Sequence, residues 1–186
     1  MSEIDTKAGK AVLTLAHVVG MVDLVALPLW IGTMMQHHRF SAPEAGITVT
    51  AFLAAVVASS ALLAPRFNRL AHRFVVAGGL SIAAVAFFAV AMQPIDPASW
   101  LPMLALHALA GLGVGSALSI THGCIGRSRN PHRLFATVSI LLGVFAVLFL
   151  SSVPQLIART GPTTLFAVFA ATMALAAIVT LPAFPR

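Results

Sequence analysis

The stretch Ala61-Leu62-Leu63-Ala64-Pro65-Arg66-Phe67-Asn68-Arg69-Leu70-Ala71-His72-Arg73 decides the fold. On either side of it the chain is apolar, over about 43–64 before and about 74–93 after. Each run is near the ~20 residues that cross the hydrocarbon core of a bilayer as a helix. Pro65, Arg66, Arg69 and Arg73 cannot extend either run into lipid. Two apolar helices joined by a short basic turn are the unit of a multi-pass membrane protein.

Working outward, the same pattern recurs. Further apolar segments lie at about 11–35, 100–123, 134–156 and 162–183. The breaks carry turn chemistry: His37-His38-Arg39-Phe40-Ser41-Ala42-Pro43, Pro94-Ile95-Asp96-Pro97, Arg127 to Arg133, and Arg159-Thr160-Gly161-Pro162. Pro43 and Pro162 suit the first turn of a helix, where a missing N–H costs nothing. The expectation is one all-α integral membrane domain over residues 1–186, a bundle of six transmembrane helices. Composition agrees, since 59% of residues are hydrophobic and only 9% are charged, against about 25% charged in soluble domains. So few charges cannot cover a water-facing surface, and the lipid bilayer is the implied solvent. The net charge of +6 is spread in short clusters between apolar runs, not gathered into a nucleic-acid-binding patch.

Those clusters set the orientation. Lys7, Lys10, Arg66, Arg69, Arg73, Arg127, Arg129, Arg133 and Arg186 fall on one side, and only Arg39 and Arg159 on the other. The positive-inside rule puts the first group in the cytoplasm. An even number of crossings puts both termini there, as in a bacterial inner-membrane protein. Met1 to Lys10 is polar and the apolar run after it is long, which does not fit a cleaved signal peptide. The single cysteine, Cys124, excludes a disulfide framework and a cysteine-cluster metal site, and reads as a small packing residue.

Asp23 is the most informative residue, centred in Gly20-Met21-Val22-Asp23-Leu24-Val25-Ala26-Leu27-Pro28. A carboxylate at this depth costs ~2.5–3.5 kcal/mol on insertion scales, so it marks an ion or substrate path or a hydrogen bond to a neighbouring helix. Pro28, further along, frees a backbone carbonyl and can kink the helix. In the fourth segment His107, Gly111, Leu118 and His122 share one helical face, with Gly115 at its edge. The imidazole of His107 can carry a proton or bond a backbone carbonyl. Gly111 and Gly115 permit close helix approach, whereas Gly79 in the third segment is expected to tolerate bulk better. His17 and His122, near the cytoplasmic ends, and His37 and His38, in the first outer loop, read as solvated.

Three Met/His pairs stand one turn apart: His17 with Met21, Met34 with His38, and Met103 with His107. Thioether and imidazole together suit Cu(I), so copper as a transported substrate is one alternative. Methionine is also a common filler of irregular gaps. An intramembrane serine protease is not expected: Gly113-Val114-Gly115-Ser116 has no histidine base in the sixth segment to pair with.

The chain resembles the N-terminal six-helix half of a major facilitator superfamily transporter. The family's loop signature after its second helix, Gly-x3-Asp-Arg-x-Gly-Arg-Arg, falls on Ala61, Pro65, Arg66, Phe67, Asn68, Arg69 and Leu70. Arg66 and Arg69 match; both glycines and the aspartate are replaced. Its fourth-helix signature, Arg-x3-Gly-x3-Gly, falls on His107, Gly111 and Gly115, with His for Arg. The Gly-Pro signature of drug antiporters is missing from Ser151-Ser152-Val153-Pro154. The resemblance implies 3+3 inverted repeats, with Ser41-Ala42-Pro43-Glu44 and Arg129-Asn130-Pro131-His132 in corresponding places. It also implies a half-size secondary transporter of a small solute, proton-coupled through Asp23 and His107, without a cofactor. A second six-helix half, most simply a second copy in a homodimer, would complete the cavity. One branch of that superfamily imports copper through similar Met and His pairs. A non-transporting assembly or scaffold subunit is the remaining alternative.

Overall fold

A computed structural model describes residues 3–185, so Arg186, counted above with the basic residues of one end, lies outside the described residues. Among these, all regular structure is helical: α1 Lys7–Gly20, α2 Val22–Val25, α3 Leu27–Gln36, α4 Ala42–Leu63, α5 His72–Ala91, α6 Trp100–Gly126, α7 Pro131–Thr160 and α8 Thr164–Ala183. Short 3-10 turns occupy Glu3–Asp5, Ala64–Arg69 and Pro97–Ser99. The starts follow from local chemistry. The Thr6 hydroxyl accepts from the Gly9 N–H, Ser41 and Glu44 form a reciprocal capping box, and the Asn130 side chain accepts from the Arg133 N–H. Pro43 and Pro131 sit in the first turns of α4 and α7, whereas Pro162 precedes α8 by two residues instead of opening it. Gly161 closes α7 at φ 101°, ψ 170°, backbone space that essentially only glycine occupies.

Among the described residues five paths are long and apolar enough to cross a membrane: Ala42–Arg69, His72–Ala91, Pro97–Gly126, Pro131–Thr160 and Thr164–Ala183. The first apolar segment departs from the sequence reading. Expected as one helix over about 11–35, it is divided into α1, α2 and α3 by interruptions at Met21 and Ala26. Pro28, in the first turn of α3, has no N–H to offer the Leu24 carbonyl one turn back, which accounts for the second interruption. The first follows Gly20, where the chain is pressed so closely on α6 that a Cβ would meet Leu118 Cδ2 at 2.7 Å.

Contacts at the two ends fix the alternation of the helices. At one end Asp5 accepts a hydrogen bond from the Arg129 backbone N–H at 3.0 Å, and the Arg127 guanidinium donates to the Asn68 side-chain oxygen at 2.6 Å. At the other, the Trp100 indole donates to the Glu44 carbonyl at 3.2 Å, and the His38 and Phe166 rings lie 6.3 Å apart. Residues 7–36 therefore run from one end of the bundle to the other, although none of the three pieces is long enough to span alone.

Helix α6 is the central post, and glycines set its spacing. A Cβ at Gly111 would strike the Phe52 carbonyl of α4, and one at Gly115 would strike Val56 and Ser59 of α4. On the face toward α5, Gly113 lies on the Gly79 carbonyl, and a Cβ at Gly79 would come within 2.5 Å of the Gly113 carbonyl. The expectation that Gly79 tolerates bulk is thus corrected: it belongs to a second glycine contact as close as the first. The outer faces are apolar, with Val57, Val85, Val147 and Ile178 each 67–70% exposed. Such a belt is stable only against lipid, and the chain is an integral membrane protein. Helix α7 is the least covered, with only Leu134, Val138, Phe149 and Val153 buried along its length.

Candidate functional site

The interrupted path through α1–α3 carries the buried chemistry. Asp23 lies in the single turn of α2, between the two interruptions, 2% exposed, in a piece that packs beside α7. Its Oδ1 is buried and has no hydrogen-bond partner among the described residues. Helices broken at membrane depth turn polar backbone toward the interior, which is how carriers build ion and substrate sites. Asp23 therefore combines an unused acceptor with an interrupted helix.

His107 takes the second of its two readings, bonded to a backbone carbonyl. It is fully buried, and both ring nitrogens are engaged: Nδ1–H donates to the Met103 carbonyl at 2.7 Å, and Nε2 accepts the Trp30 indole N–H at 3.0 Å. The Trp30 and His107 rings stack, with centroids 5.2 Å apart and planes 17° from parallel. Phe87 and Phe166 meet the imidazole edge-on, and Phe52 and Phe169 close around the indole. Of its two readings the carbonyl-bonded one describes this geometry, and His107 acts as a clasp holding α3 to α6 inside an aromatic cluster. Surface clefts between α1 and α7, between α5 and α8, and at the far end of α7 are lined by neither Asp23 nor His107.

Two histidines read as solvated are buried. His17 Nδ1 and His122 Nε2 lie 2.9 Å apart, bridging α1 to α6, and His17 Nε2 is buried without a partner. His38, beyond the end of α3, is 0% exposed and packs against Phe40 and Phe166. Burial pushes its imidazole below the ordinary value, and the Pro94 carbonyl opposes this by favouring its proton, although no well-formed hydrogen bond reaches either ring nitrogen.

The chain matches no family model and no curated protein. Its chemistry therefore rests on its own residues. Of the soft-ligand pairs, Met34, His38, Met103 and His107 all come to the same end of the bundle and are all buried. His107 has no ring nitrogen left for a metal, however, and Met103 Sδ accepts the Ser99 hydroxyl at 3.6 Å. His17, paired with Met21 in that reading, is bonded to His122 instead. Among the described residues no three His, Cys, Asp or Glu side chains gather into a metal-binding group.

The basic loop is held by Phe67 and Asn68, which stand where the motif has an unspecified residue and a glycine, and by Arg127 outside it. Phe67 covers Gly123 of α6 and packs on His72, and the Arg127 guanidinium lies 4.1 Å from its ring centroid. Arg66 turns back to the Leu62 carbonyl of its own helix. The Phe67–Asn68–Arg127 contact, not Arg66 or Arg69, joins this loop to the end of α6.

Proposed function

We propose that the chain is one half of a proton-coupled membrane carrier for a small solute, with Asp23 as the coupling residue. The observation that carries this reading is the buried, partnerless Oδ1 of Asp23 in the break of the first apolar path. An ionised carboxylate left in low dielectric with no counter-charge costs several kcal/mol. A proton, or a cationic group of the solute, is what that oxygen lacks, and exchanging one for the other is coupling. In this reading residues 7–36 are the sixth crossing, both termini face the cytoplasm, and the bundle resembles the N-terminal half of a major facilitator superfamily transporter with 3+3 repeats. His107 is left out of proton transfer, since both of its nitrogens are taken.

A second copy, parallel in the membrane, supplies the other wall of the cavity. The sparse covering of α7, which packs beside α2, supports this. The two Asp23 carboxyls would then face one cavity and titrate as a coupled pair.

The test uses proteoliposomes with a trapped pH indicator and mixed pools of amines, organic acids and sugars outside. The wild-type chain is expected to move protons when the pool contains its solute, and Asp23→Asn to lose that proton movement while keeping the oligomer. Normal proton-driven uptake by Asp23→Asn overturns the coupling role. Full activity in a nanodisc-verified monomer overturns the two-copy cavity.

A further inference from the structure

At the end of the bundle that bears most of its Lys and Arg residues, α1 and α7 diverge around a cavity of about 830 Å³. Lys10, Arg129 and Arg133 line it, with Asp5 as the one carboxylate. Elsewhere on this end several arginines are already engaged. Arg66 bonds the Leu62 carbonyl, Arg127 bonds Asn68 and covers Phe67, and Arg73 lies 4.6 Å from the Phe74 ring centroid. The side chains of Lys10, Arg129 and Arg133 make no hydrogen bond or ion pair among the described residues. Asp5 is committed to the Arg129 backbone N–H at 3.0 Å, so three cations surround a space containing one carboxylate that is already in use.

We infer that this cavity binds the phosphate of an anionic phospholipid headgroup. The free donors are the three cations and the amide NH2 of Asn130, whose Oδ1 accepts from the Arg133 N–H; Thr14, Thr137 and Ser128 each donate their hydroxyl proton to a carbonyl of their own chain segment, at 2.8 Å in every case. Recognition is therefore by charge, which suits a phosphate and rejects a neutral sugar or a cation. The lipid source is favoured by what adjoins the cavity. Ala11 and Leu134 form part of its wall, and α7 continues from it as an exposed apolar face through Ile140, Leu141, Val144 and Val147. A headgroup seated among the cations would lay its acyl chains along that face. Basic pockets where helices enter the bilayer bind anionic headgroups on this principle. This site is separate from Asp23 and does not depend on proton coupling; its acyl chains would share the sparsely covered α7 with the second copy of the transport reading, whereas the headgroup cavity lies at the basic end of that helix.

The test is native mass spectrometry of the purified full chain titrated with dioctanoyl phosphatidylglycerol, and with dioctanoyl phosphatidylcholine for comparison. Saturable binding of the anionic lipid is expected, weakened about thirtyfold in Arg129→Gln/Arg133→Gln, as for two cations lost at a membrane surface. Arg66→Gln/Arg69→Gln should leave it unchanged. Asp5→Asn should tighten binding about fivefold, a gain that misfolding cannot imitate. Equal binding of the zwitterionic lipid, or no change in Arg129→Gln/Arg133→Gln, overturns the site. Displacement of the lipid by inorganic phosphate at equal concentration overturns the lipid assignment in favour of a free anion.

Discussion

Trp30 donates its indole N–H to Nε2 of His107 at 3.0 Å, and the planes of the same two rings lie within 17° of parallel. One pair thus joins the far half of the interrupted path to the central helix through a polar bond shielded by phenylalanines. Trp30→Phe keeps most of the aromatic volume but leaves Nε2 buried without a donor. The expected cost is ~1–3 kcal/mol, measured by reversible unfolding in mixed detergent. His107→Phe removes both ends of the polar problem once Trp30 is also Phe, so the double variant should recover part of the loss. A double-mutant cycle with no coupling energy would deny the clasp.

Neighbouring glycines of α5 make an internal control for packing. Gly79 faces the Gly113 carbonyl, whereas Gly78 has open space around it. Gly79→Ala should therefore cost ~1–3 kcal/mol through overpacking, and Gly78→Ala should be neutral or stabilising by helix propensity. Gly113→Ala should resemble Gly79→Ala, since each meets the other's backbone. Equal stability of the Gly78 and Gly79 variants, read from detergent melting curves, would show that the α5–α6 spacing is not set by these glycines.

The apolar segments and their alternation were legible because lipid imposes a length and a charge rule on every crossing, and Pro65 to Arg73 states both. The glycine spacing of Gly111 and Gly115 was legible for the same reason: small residues one turn apart must face a neighbour. The interruption at Met21 was not: no proline stands there, and the close contact beside it joins Gly20 to Leu118 of α6, residues nearly a hundred positions apart. Pro28 did signal the second break. The sequence leaves His107 open between a proton carrier and a carbonyl-bonded packing residue, because it cannot show that Trp30 occupies the second nitrogen. The His17–His122 bond was within reach, since both lie near the basic end of their segments, but a pairing needs rotation angles that periodicity alone does not supply.

His38 gives a pH dependence whose sign can be worked out. Its imidazole lies below the ordinary value in the folded chain because burial disfavours the charged ring. As pH falls, the unfolded chain takes the proton first, near the ordinary value of ~6.5. Stability contributed by the neutral ring is complete above that pH and is lost as pH falls toward the lowered folded value. Unfolding free energy should therefore drop below about pH 6.5, and His38→Phe should flatten that part of the profile. An identical slope in His38→Phe would move the titration elsewhere.

The final prediction concerns orientation, and the structure selects the positions that can report it. Cys124 is 1% exposed, so the natural thiol should stay silent toward a maleimide that cannot enter the membrane. Ser99, at the turn before α6, is a poor reporter because it is only 6% exposed and its hydroxyl bonds the Asp96 carbonyl at 2.6 Å. Its neighbour Ala98 is exposed, as is Ala71 at the opposite end of the bundle. Neither substitution changes a Lys or Arg, so neither alters the charge difference that directs insertion. With Arg66, Arg69, Arg73, Arg127, Arg129 and Arg133 around Ala71, that end is expected inside. In intact cells Ala98→Cys should label at once, and Ala71→Cys only after the membrane is permeabilised. Labelling of Ala71→Cys in sealed cells, with Ala98→Cys protected, would invert the protein in the membrane. It would also place the Lys10, Arg129 and Arg133 cavity on the outer leaflet.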